Sequence, residues 1–336
     1  MKNKIKKKSS IKKAKSKKIL ITGGAGFIGS HLAEALLKKG EEVFVIDNLS
    51  TGSLKNIKHL LKNKKFHFTK GSVLDEKLME ELIKKVDEVY HLAAAVGVKM
   101  ILKRPLSSLS TNIKGTEIVL EKAMKRKVKV LLASSSEVCG KDDNVPFREE
   151  KDRTYGSVYN DRWVYAFSKA VDEFLGLAYW REKKLPVVIV RLFNVIGPRQ
   201  TGRYGMVVPT FVRQALKGEP ITVFGDGKQT RCFADVEDVV RAMIKLMSTK
   251  KAEGQVINLG SDREISINQL AKKVKKITSS TSKIIHIPYK KAYPNGYEDF
   301  RRRVPELSKI RKLIGYKPKV SLEESIEKII KYQRAN

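Results

Sequence analysis

The amino-acid sequence contains two tyrosine–lysine pairs with the spacing Y-x-x-x-K, Tyr165–Lys169 and Tyr179–Lys183. On a helix, side chains four residues apart share one face, so the lysine ammonium can stabilise a tyrosinate. A tyrosinate accepts a hydroxyl proton while a hydride leaves the same carbon. Lowering a phenol pKa from about 10 by about three units takes roughly 4 kcal/mol, which a lysine and a positively charged nicotinamide ring could supply together. Each pair is therefore a candidate for acid–base chemistry.

Position distinguishes the two pairs. Both lie on a helix predicted over residues 161–184, about 21 Å apart along its axis. In a parallel α/β sheet, ligands bind beyond the carboxyl ends of the strands, and the N-terminal ends of the helices lie on that side. Tyr165 is near the start of this helix and close to the end of the strand predicted over 128–134. We therefore predict that Tyr165 is the functional tyrosine, Tyr179 a packing residue and Lys183 a solvated one.

A glycine-rich turn, TGGAGFIG (22–29), separates the first predicted strand from the first predicted helix. Its glycines permit a tight turn and a close approach to a pyrophosphate, and the helix N-terminus offers N–H donors to that anion. Asp47 follows Gly29 by eighteen residues, where an acidic group hydrogen-bonds ribose hydroxyls and repels a 2′-phosphate. The sequence therefore predicts NAD rather than NADP. The predicted cofactor-binding residues are Gly23, Gly26, Phe27, Ile28, Gly29, Asp47, Asn48, Ala93 and Lys169.

Strand and helix patterns alternate along the chain, and the strands are continuous apolar runs. This pattern predicts an α/β fold with a Rossmann-type doubly wound parallel sheet covered on both faces. After Asn194 the alternation becomes less regular. The strands predicted for the sheet are 18–22, 41–47, 65–71, 87–94, 128–134, 186–192 and 255–260. Helical spacing predicts helices over 110–127 and 236–247 as well as 161–184.

The composition limits the class of protein. Of 336 residues, 41% are apolar and the net charge is +33. Two cysteines are too few for a disulfide framework, which favours a cytoplasmic protein. The first 18 residues hold ten lysines and no acid, so we expect residues 1–17 to form a disordered tail, either simply solvated or weakly bound to an anionic partner. Neither a membrane span nor specific nucleic-acid recognition is predicted, nor is a metal site.

The glycine turn, Asp47, HLAA (91–94), SSSEV (134–138) and YAFSK (165–169) occur in this order and resemble the extended short-chain dehydrogenases. These are NAD-dependent epimerases, dehydratases and decarboxylases of nucleotide sugars. The resemblance implies transient oxidation at sugar C4 by a Ser135–Tyr165–Lys169 triad. It also implies a homodimer formed through helices near 110–125 and 161–184.

The same resemblance implies a division of the chain into two domains. Residues 18–195, with 234–262 returning to them, would bind NAD, whereas 196–233 and 263–336 would form a smaller C-terminal α/β domain for the nucleotide sugar. A UDP-linked sugar is the commonest ligand of such a domain in this family. The substrate-binding residues that the resemblance implies are Ser136, Asn194, Arg231 and Arg303.

Glu137 separates the members of this family. The epimerases generally carry a small or apolar residue there, whereas Ser136–Glu137 matches the decarboxylases of UDP-glucuronate type. Arg303 aligns with an arginine that could hold a sugar carboxylate. We therefore predict Glu137 as a fourth catalytic residue and decarboxylation of UDP-glucuronate to a UDP-pentose. Against this, AAAVGVK (93–99) is similar to the epimerase sugar loop.

Several alternatives remain open on the sequence. The protein could be a 4-epimerase of a UDP-hexose or UDP-uronate, or a 4,6-dehydratase, with Glu137 only ordering its loop. A non-catalytic dinucleotide-binding scaffold is a further alternative from another class. Cys139 has no histidine placed to activate it, so we interpret its thiol as a packing group.

Overall fold

The computed structural model describes residues 16–96, 105–142, 144–202, 206–292 and 300–336. The predicted lysine-rich tail, apart from residues 16 and 17, and the second half of AAAVGVK lie outside these ranges. In the part of the chain that is described, no helix is long and apolar enough to cross a membrane.

Strands and helices alternate over most of the chain. The strands are β1 (Lys18–Thr22), β2 (Glu42–Asp47), β3 (Phe66–Lys70), β4 (Glu88–His91), β5 (Lys129–Ser135), β6 (Val187–Leu192), β7 (Val195–Ile196), β8 (Ile221–Phe224), β9 (Thr230–Cys232), β10 (Ala234–Asp235), β11 (Gln255–Leu259), β12 (Glu264–Ser266) and β13 (Ile284–Ile287). The helices are α1 (Phe27–Lys38), α2 (Glu76–Ile83), α3 (Pro105–Leu109), α4 (Gly115–Met124), α5 (Val164–Lys183), α6 (Val207–Leu216), α7 (Val236–Met247), α8 (Ile267–Ile277), α9 (Tyr289–Ala292), α10 (Ser308–Ile314) and α11 (Leu322–Arg334).

The central sheet is parallel and has the order β11–β6–β5–β4–β1–β2–β3. Its strands are apolar on both faces because helices cover both. One face packs against α1, α7 and α10, and the other against α2 and α4. The order of the strands reverses direction at β1, as in doubly wound folds. The predicted Rossmann-type fold class is confirmed.

A second, smaller core lies outside the sheet. Apolar residues of α6, α8 and α11 pack around β8, with Phe211, Leu270 and Ile329 among those fully or almost fully buried. Capping boxes begin two of these helices, Ser266 with Gln269 at α8 and Ser321 with Glu324 at α11.

The chain returns to the large sheet near its end. Leu307, Ile310, Ile314 and Tyr316 join the apolar cluster on the α1 face. The sequence-based division assigned this segment to the smaller domain, whereas its side chains pack with the larger one. The apolar spacing of a seven-residue helix does not show which of two cores it joins.

The helix predicted over 110–127 begins differently from the expectation. Ser110–Lys114 form a π-helical turn that leads into α4. Asn112 in this turn is buried; its Nδ2 donates to Ser168 Oγ at 2.9 Å, and its Oδ1 accepts from Ala95 N at 2.8 Å. The wider turn directs a polar side chain inward, beside the helix that carries Tyr165.

Candidate active site

The predicted site residues converge at the carboxyl edge of the sheet. The glycine turn follows β1, Asp47 ends β2, Ala93 follows β4 and Ser135 ends β5. Tyr165 is the second residue of α5, which packs beside β5. One edge of the sheet therefore holds both the glycine turn and the Y-x-x-x-K pair.

Backbone contacts shape the glycine turn. Gly23 has φ +70°, and a Cβ atom there would lie 2.9 Å from the backbone N and Cα of Ala93. A Cβ on Gly29 would overlap the Gly23 carbonyl oxygen. Helix α1 then begins after Gly26, and the amides of Phe27, Ile28 and Gly29 have no acceptor within the helix. This geometry fits the pyrophosphate of a dinucleotide.

Asp47 connects the glycine turn to the loop after β2. Its Oδ2 accepts from Ala25 N at 3.0 Å, and its Oδ1 accepts from Leu49 N at 2.8 Å. Burial raises the pKa of the Asp47 carboxyl above its usual value, although both backbone hydrogen bonds oppose this. Asn48 is exposed, with its Oδ1 accepting from Ser50 N at 3.0 Å. A carboxylate at this strand end suits ribose hydroxyls, as predicted for NAD.

Ser135, Tyr165 and Lys169 lie together between β5 and α5. The Ser135 hydroxyl hydrogen-bonds to Tyr165 and also accepts from Glu137 N at 3.3 Å, which caps the turn Ser136–Cys139. Burial raises the pKa of Tyr165 above 10, while the Lys169 charge and the Ser135 hydrogen bond lower it and Glu137 raises it. Lys169 lowers the pKa of Tyr165, as expected, but burial raises this pKa by more.

Lys169 has a partner that the sequence analysis missed. Its Nζ lies 2.8 Å from Asp172 Oδ2, and both side chains are only 3% exposed. Burial alone would lower the pKa of Lys169, but the Asp172 carboxylate reverses this and raises it. Breaking a buried ion pair by removing one partner typically costs about 3–5 kcal/mol. Asp172 therefore keeps Lys169 charged.

A buried hydrogen-bond chain runs from Thr116 to Ala93, beside the glycine turn. The Thr116 Oγ1 lies 3.2 Å from His91 Nε2. His91 Nδ1 lies 2.8 Å from Thr22 Oγ1, which accepts from Ala93 N at 3.1 Å. The tautomer with its proton on Nε2 satisfies these contacts, with Thr22 donating to Nδ1 and Nε2–H donating to Thr116. Burial lowers the pKa of His91 to about 3, so its ring is neutral.

Glu137 and Arg303 form a partly buried ion pair beside the triad. Arg303 Nη1 lies 2.8 Å from Glu137 Oε1 and 3.4 Å from Ser136 Oγ. The Arg303 side chain is 7% exposed and the Glu137 side chain 16%. Two residues 166 positions apart in the chain therefore meet next to Tyr165. The guanidinium gives this side of the site a positive group suited to a carboxylate or a phosphate.

The other two predicted substrate residues, Asn194 and Arg231, lie near one another. Asn194 Nδ2 donates at 3.0 Å to the carbonyl oxygen of Cys232, which is the residue after Arg231. Arg231 is 8% exposed, and its Nη1 donates to the carbonyls of Thr230 at 2.7 Å and Phe300 at 2.9 Å. Backbone carbonyls thus hold this guanidinium in place.

The groups interpreted as packing residues do pack. Cys139 is buried with Phe147 and Phe193, and burial raises the pKa of its thiol to about 12. Tyr179 packs against the apolar cluster under α5, and Lys183 is exposed. Within the described ranges, no group of three or more His, Cys, Asp or Glu side chains could hold a metal ion.

Comparison with known proteins identifies the family. The family described as GDP-mannose 4,6 dehydratase matches residues 20–329. The chain belongs to this family, among the extended short-chain dehydrogenases. It is an NAD-dependent enzyme that modifies nucleotide sugars, and its cofactor is NAD.

The similar proteins include decarboxylases and an epimerase. The chain is 44% identical to a UDP-N-acetyl-alpha-D-glucosaminuronate decarboxylase from Bacillus cytotoxicus, over 95% of this chain and 98% of that protein. It is 37% identical to UDP-glucuronic acid decarboxylase 1 of Xenopus tropicalis, over 95% of this chain and 72% of that protein. UDP-glucuronic acid 4-epimerase from Bacillus cereus, solved with UDP-glucuronic acid and NAD, has a TM-score of 0.85 and 32% identity, covering 95% of this chain and 99% of that one.

This short-chain dehydrogenase also has a carboxylate next to Asp172 that sequence reasoning missed. Glu173 accepts from Ser134 Oγ at 2.6 Å, from Arg153 Nη2 at 2.8 Å and from Arg191 Nε at 2.8 Å. The network fixes the end of β5 against α5. Asp172 and Glu173 follow Lys169 by three and four residues, and this spacing was a usable signal because such residues lie one helical turn away.

Proposed function

We propose that this enzyme decarboxylates a UDP-linked hexuronate. The observation that carries the proposal is the partly buried Glu137–Arg303 pair, 2.8 Å between Oε1 and Nη1, beside Ser135 and Tyr165. An arginine fork is the group that best holds a planar carboxylate. C4 oxidation and 4-epimerisation of a neutral UDP-hexose do not require one at this position, so the arginine indicates a uronate, and product analysis separates its decarboxylation from its epimerisation.

The triad residues would manage the C4 hydroxyl. Tyr165 would accept its proton, and Ser135 would hydrogen-bond the same oxygen. Lys169 would hold the nicotinamide ribose and favour the tyrosinate. The cofactor would lie along Gly23, Gly26 and Gly29 with its adenosine ribose at Asp47; when bound, it supplies hydride transfer at C4 and a positive charge near Tyr165.

The remaining pair would act on the carboxylate. A 4-keto hexuronate is a β-keto acid, which loses carbon dioxide without a strong base. Arg303 would hold the carboxylate before it leaves. Glu137 would order a water molecule or protonate C5 afterwards, and the hydride first taken from C4 would return there to give the UDP-pentose. Asn194 and Arg231 would bind the nucleotide diphosphate.

Two hexuronates fit this chemistry and differ at C2. UDP-glucuronate is the substrate predicted from the sequence. Its 2-acetamido analogue is the second candidate, because the relative at 44% identity is named for it. Both place the carboxylate at C5, so Arg303 and Glu137 would have the same roles with either.

The test is direct. The protein is incubated with NAD and each UDP-hexuronate in turn, and the products are followed by proton NMR together with bicarbonate release. A UDP-pentose, with or without a 2-acetamido group, is expected. UDP-galacturonate or its 2-acetamido counterpart, with the carboxylate retained, would replace the proposal by 4-epimerisation. If the UDP-pentose forms, Glu137→Gln and Arg303→Lys should each slow its formation.

The domain division is part of the proposal. Residues 18–195 and 234–262 would bind NAD, and 196–233 and 263–336 the nucleotide sugar. The separate cores support this division. Residues 307–316 pack with the sheet and would connect the two domains. We propose a cytoplasmic location on the basis of the two unpaired cysteines.

We also propose a homodimer that packs through α5. Phe167, Val171 and Phe174 lie at i, i+4 and i+7 on this helix and are 40%, 36% and 67% exposed. Leu106 of α3 is 77% exposed. An apolar stripe of this spacing suits a second copy of the same helix. Phe174→Lys should give monomers in sedimentation analysis, and an unchanged dimer would exclude this face.

A further inference from the structure

Phe300 lies where both predicted substrate arginines meet the start of the catalytic helix. Its carbonyl oxygen accepts from Arg231 Nη1 at 2.9 Å. The guanidinium carbon of Arg303 lies over its ring, 4.3 Å from the centroid. The ring also meets Trp163 edge-on, with centroids 6.1 Å apart and planes at 85°. Trp163 is two residues before Tyr165, so one aromatic residue links three parts of the site.

Phe300 and the side chains that it contacts are buried, so their contacts restrict the conformation of the Arg303 side chain. Phe300 is 8% exposed, Trp163 2% and Arg303 6%. An arginine side chain has many rotamers, and a buried guanidinium needs contacts that select one. Glu137 holds one end of the Arg303 fork through Nη1, and the ring supports the face of the fork. The ring quadrupole attracts the cation, which an aliphatic side chain of similar size would not do.

We propose that Phe300 is a positioning residue that sets the plane of the Arg303 guanidinium and so determines selectivity for a carboxylate on the sugar. This inference rests on the proposed function. Phe300 touches no reacting atom and acts through Arg303. Because Trp163 fixes the ring against the start of α5, the plane of the fork is set relative to Tyr165.

The experiment compares Phe300→Leu with Phe300→Tyr in the protein loaded with NADH, which cannot accept the C4 hydride, so the hexuronate binds without being oxidised. Calorimetry gives dissociation constants for UDP, UDP-glucose and UDP-glucuronate, with the 2-acetamido hexuronate as a fourth ligand. Phe300→Leu keeps the backbone carbonyl for Arg231, so UDP affinity should stay within about twofold. Preference for the hexuronate over UDP-glucose should fall by about three- to thirtyfold, the range expected for a lost cation–π contact. Phe300→Tyr should retain the preference.

A double-mutant cycle tests whether Phe300 acts through Arg303. Lysine at position 303 keeps the charge but lacks the planar fork. Phe300→Leu should therefore have little further effect on the preference when combined with Arg303→Lys. Additive effects, or an equal loss of UDP and hexuronate affinity in Phe300→Leu, would mean that Phe300 only supports the fold, and would overturn the inference.

The outcome for the unsubstituted protein separates the two proposals. If it has no preference for a hexuronate over UDP-glucose, the proposed function fails, and this inference fails with it. If it prefers the hexuronate and Phe300→Leu does so equally, only the role of Phe300 is overturned.

Discussion

The site has two regions that are built in different ways. The cofactor edge includes the glycine turn and Ala93, and the sugar-facing side includes Glu137 and Arg303. At the cofactor edge, the shape comes from the backbone: Gly23 lies against Ala93, and Gly29 against Gly23. On the sugar-facing side, the shape comes from long side chains, with Glu137 and Arg303 joined across 166 residues of chain. The first region has no room for an extra atom, whereas the second depends on particular charged partners.

Because of this difference, the two regions should be sensitive to different kinds of substitution. A single methyl group should disrupt the backbone-built edge, because main-chain atoms cannot move aside cheaply. On the sugar-facing side, substitutions that keep volume but change charge or hydrogen bonding should be the damaging ones. Lys169 and Asp172 lie between the two regions. We expect them to be sensitive both to a change of volume and to a change of charge.

The largest effect is expected for Tyr165→Phe, which sharpens the comparison from the sugar-facing side. Removing the hydroxyl should lower kcat by about 10²–10⁴-fold, the usual contribution of a proton acceptor. NAD affinity should change little, because the ring remains. Tyr179→Phe is the matched control on the same helix and in the same Y-x-x-x-K spacing, and it should keep near-normal turnover. Equal losses in both variants would contradict the choice of Tyr165. The assay is turnover of the UDP-hexuronate, with NAD affinity measured by calorimetry.

Gly23→Ala tests the cofactor edge and should weaken NAD binding by about 10²-fold, since the new Cβ would lie 2.9 Å from Ala93 backbone atoms. Gly218→Ala is the matched control: Gly218 also has φ +70°, but a Cβ there meets nothing within 4 Å. Both variants carry the left-handed strain of about 1 kcal/mol, and only the first has the collision. Equal NAD affinities in two folded variants would show that the turn is not built by close approach. Circular dichroism checks folding, and calorimetry measures the affinity.

The cofactor edge was predictable from the sequence because its determinants are local. The turn at 22–29 and Asp47 lie within one strand–helix–strand unit, and β1 has the predicted bounds. Helix periodicity predicted α7 to the residue, Val236–Met247. Within one strand–helix–strand unit, residues that are close in the sequence are also close in space, so their spacing predicts the distance between them.

The sugar-facing side was only partly predictable. Glu137 and Arg303 were chosen separately by resemblance, and nothing in the spacing showed that they pair. The role of Phe300 depends on packing between distant segments, so no periodicity reveals it. The π-helical turn around Asn112 was missed for the same reason, because a tertiary hydrogen bond to Ser168 accompanies the widened turn.

Asp172→Asn probes the boundary between the two regions and should have an intermediate effect. Without the carboxylate, burial would lower the pKa of Lys169, because its largest opposing influence is gone. Lys169 would then lose its proton at a lower pH than in the unsubstituted protein, and kcat would fall on the alkaline side, by about tenfold near pH 9. A pH profile of kcat from 6 to 10 measures the shift, and Asp172→Glu should restore most of it. A uniform loss at every pH would indicate a purely structural role.

The smallest change in turnover is expected for His91→Asn, whose main effect should be on stability. The pKa of His91 is about 3 in the folded protein and about 6.5 when exposed, so unfolding takes up a proton between these values. The folded state therefore loses stability as the pH falls from about 6.5 towards 3, by about 1.4 kcal/mol per pH unit from this group. Asparagine does not titrate, so the variant should lack that part of the acid dependence.

Denaturant unfolding of both proteins between pH 4 and 7 measures the difference. At pH 7 the variant should be less stable by about 1–3 kcal/mol, since a buried polar partner is lost. Towards pH 4 the two stability curves should converge. Parallel curves would mean that His91 titrates with the same pKa in the folded and unfolded states. A fall in NAD affinity alongside the converging curves would instead show that the Thr22–His91–Thr116 chain helps to hold Ala93, so that the backbone-built edge depends on buried side chains as well.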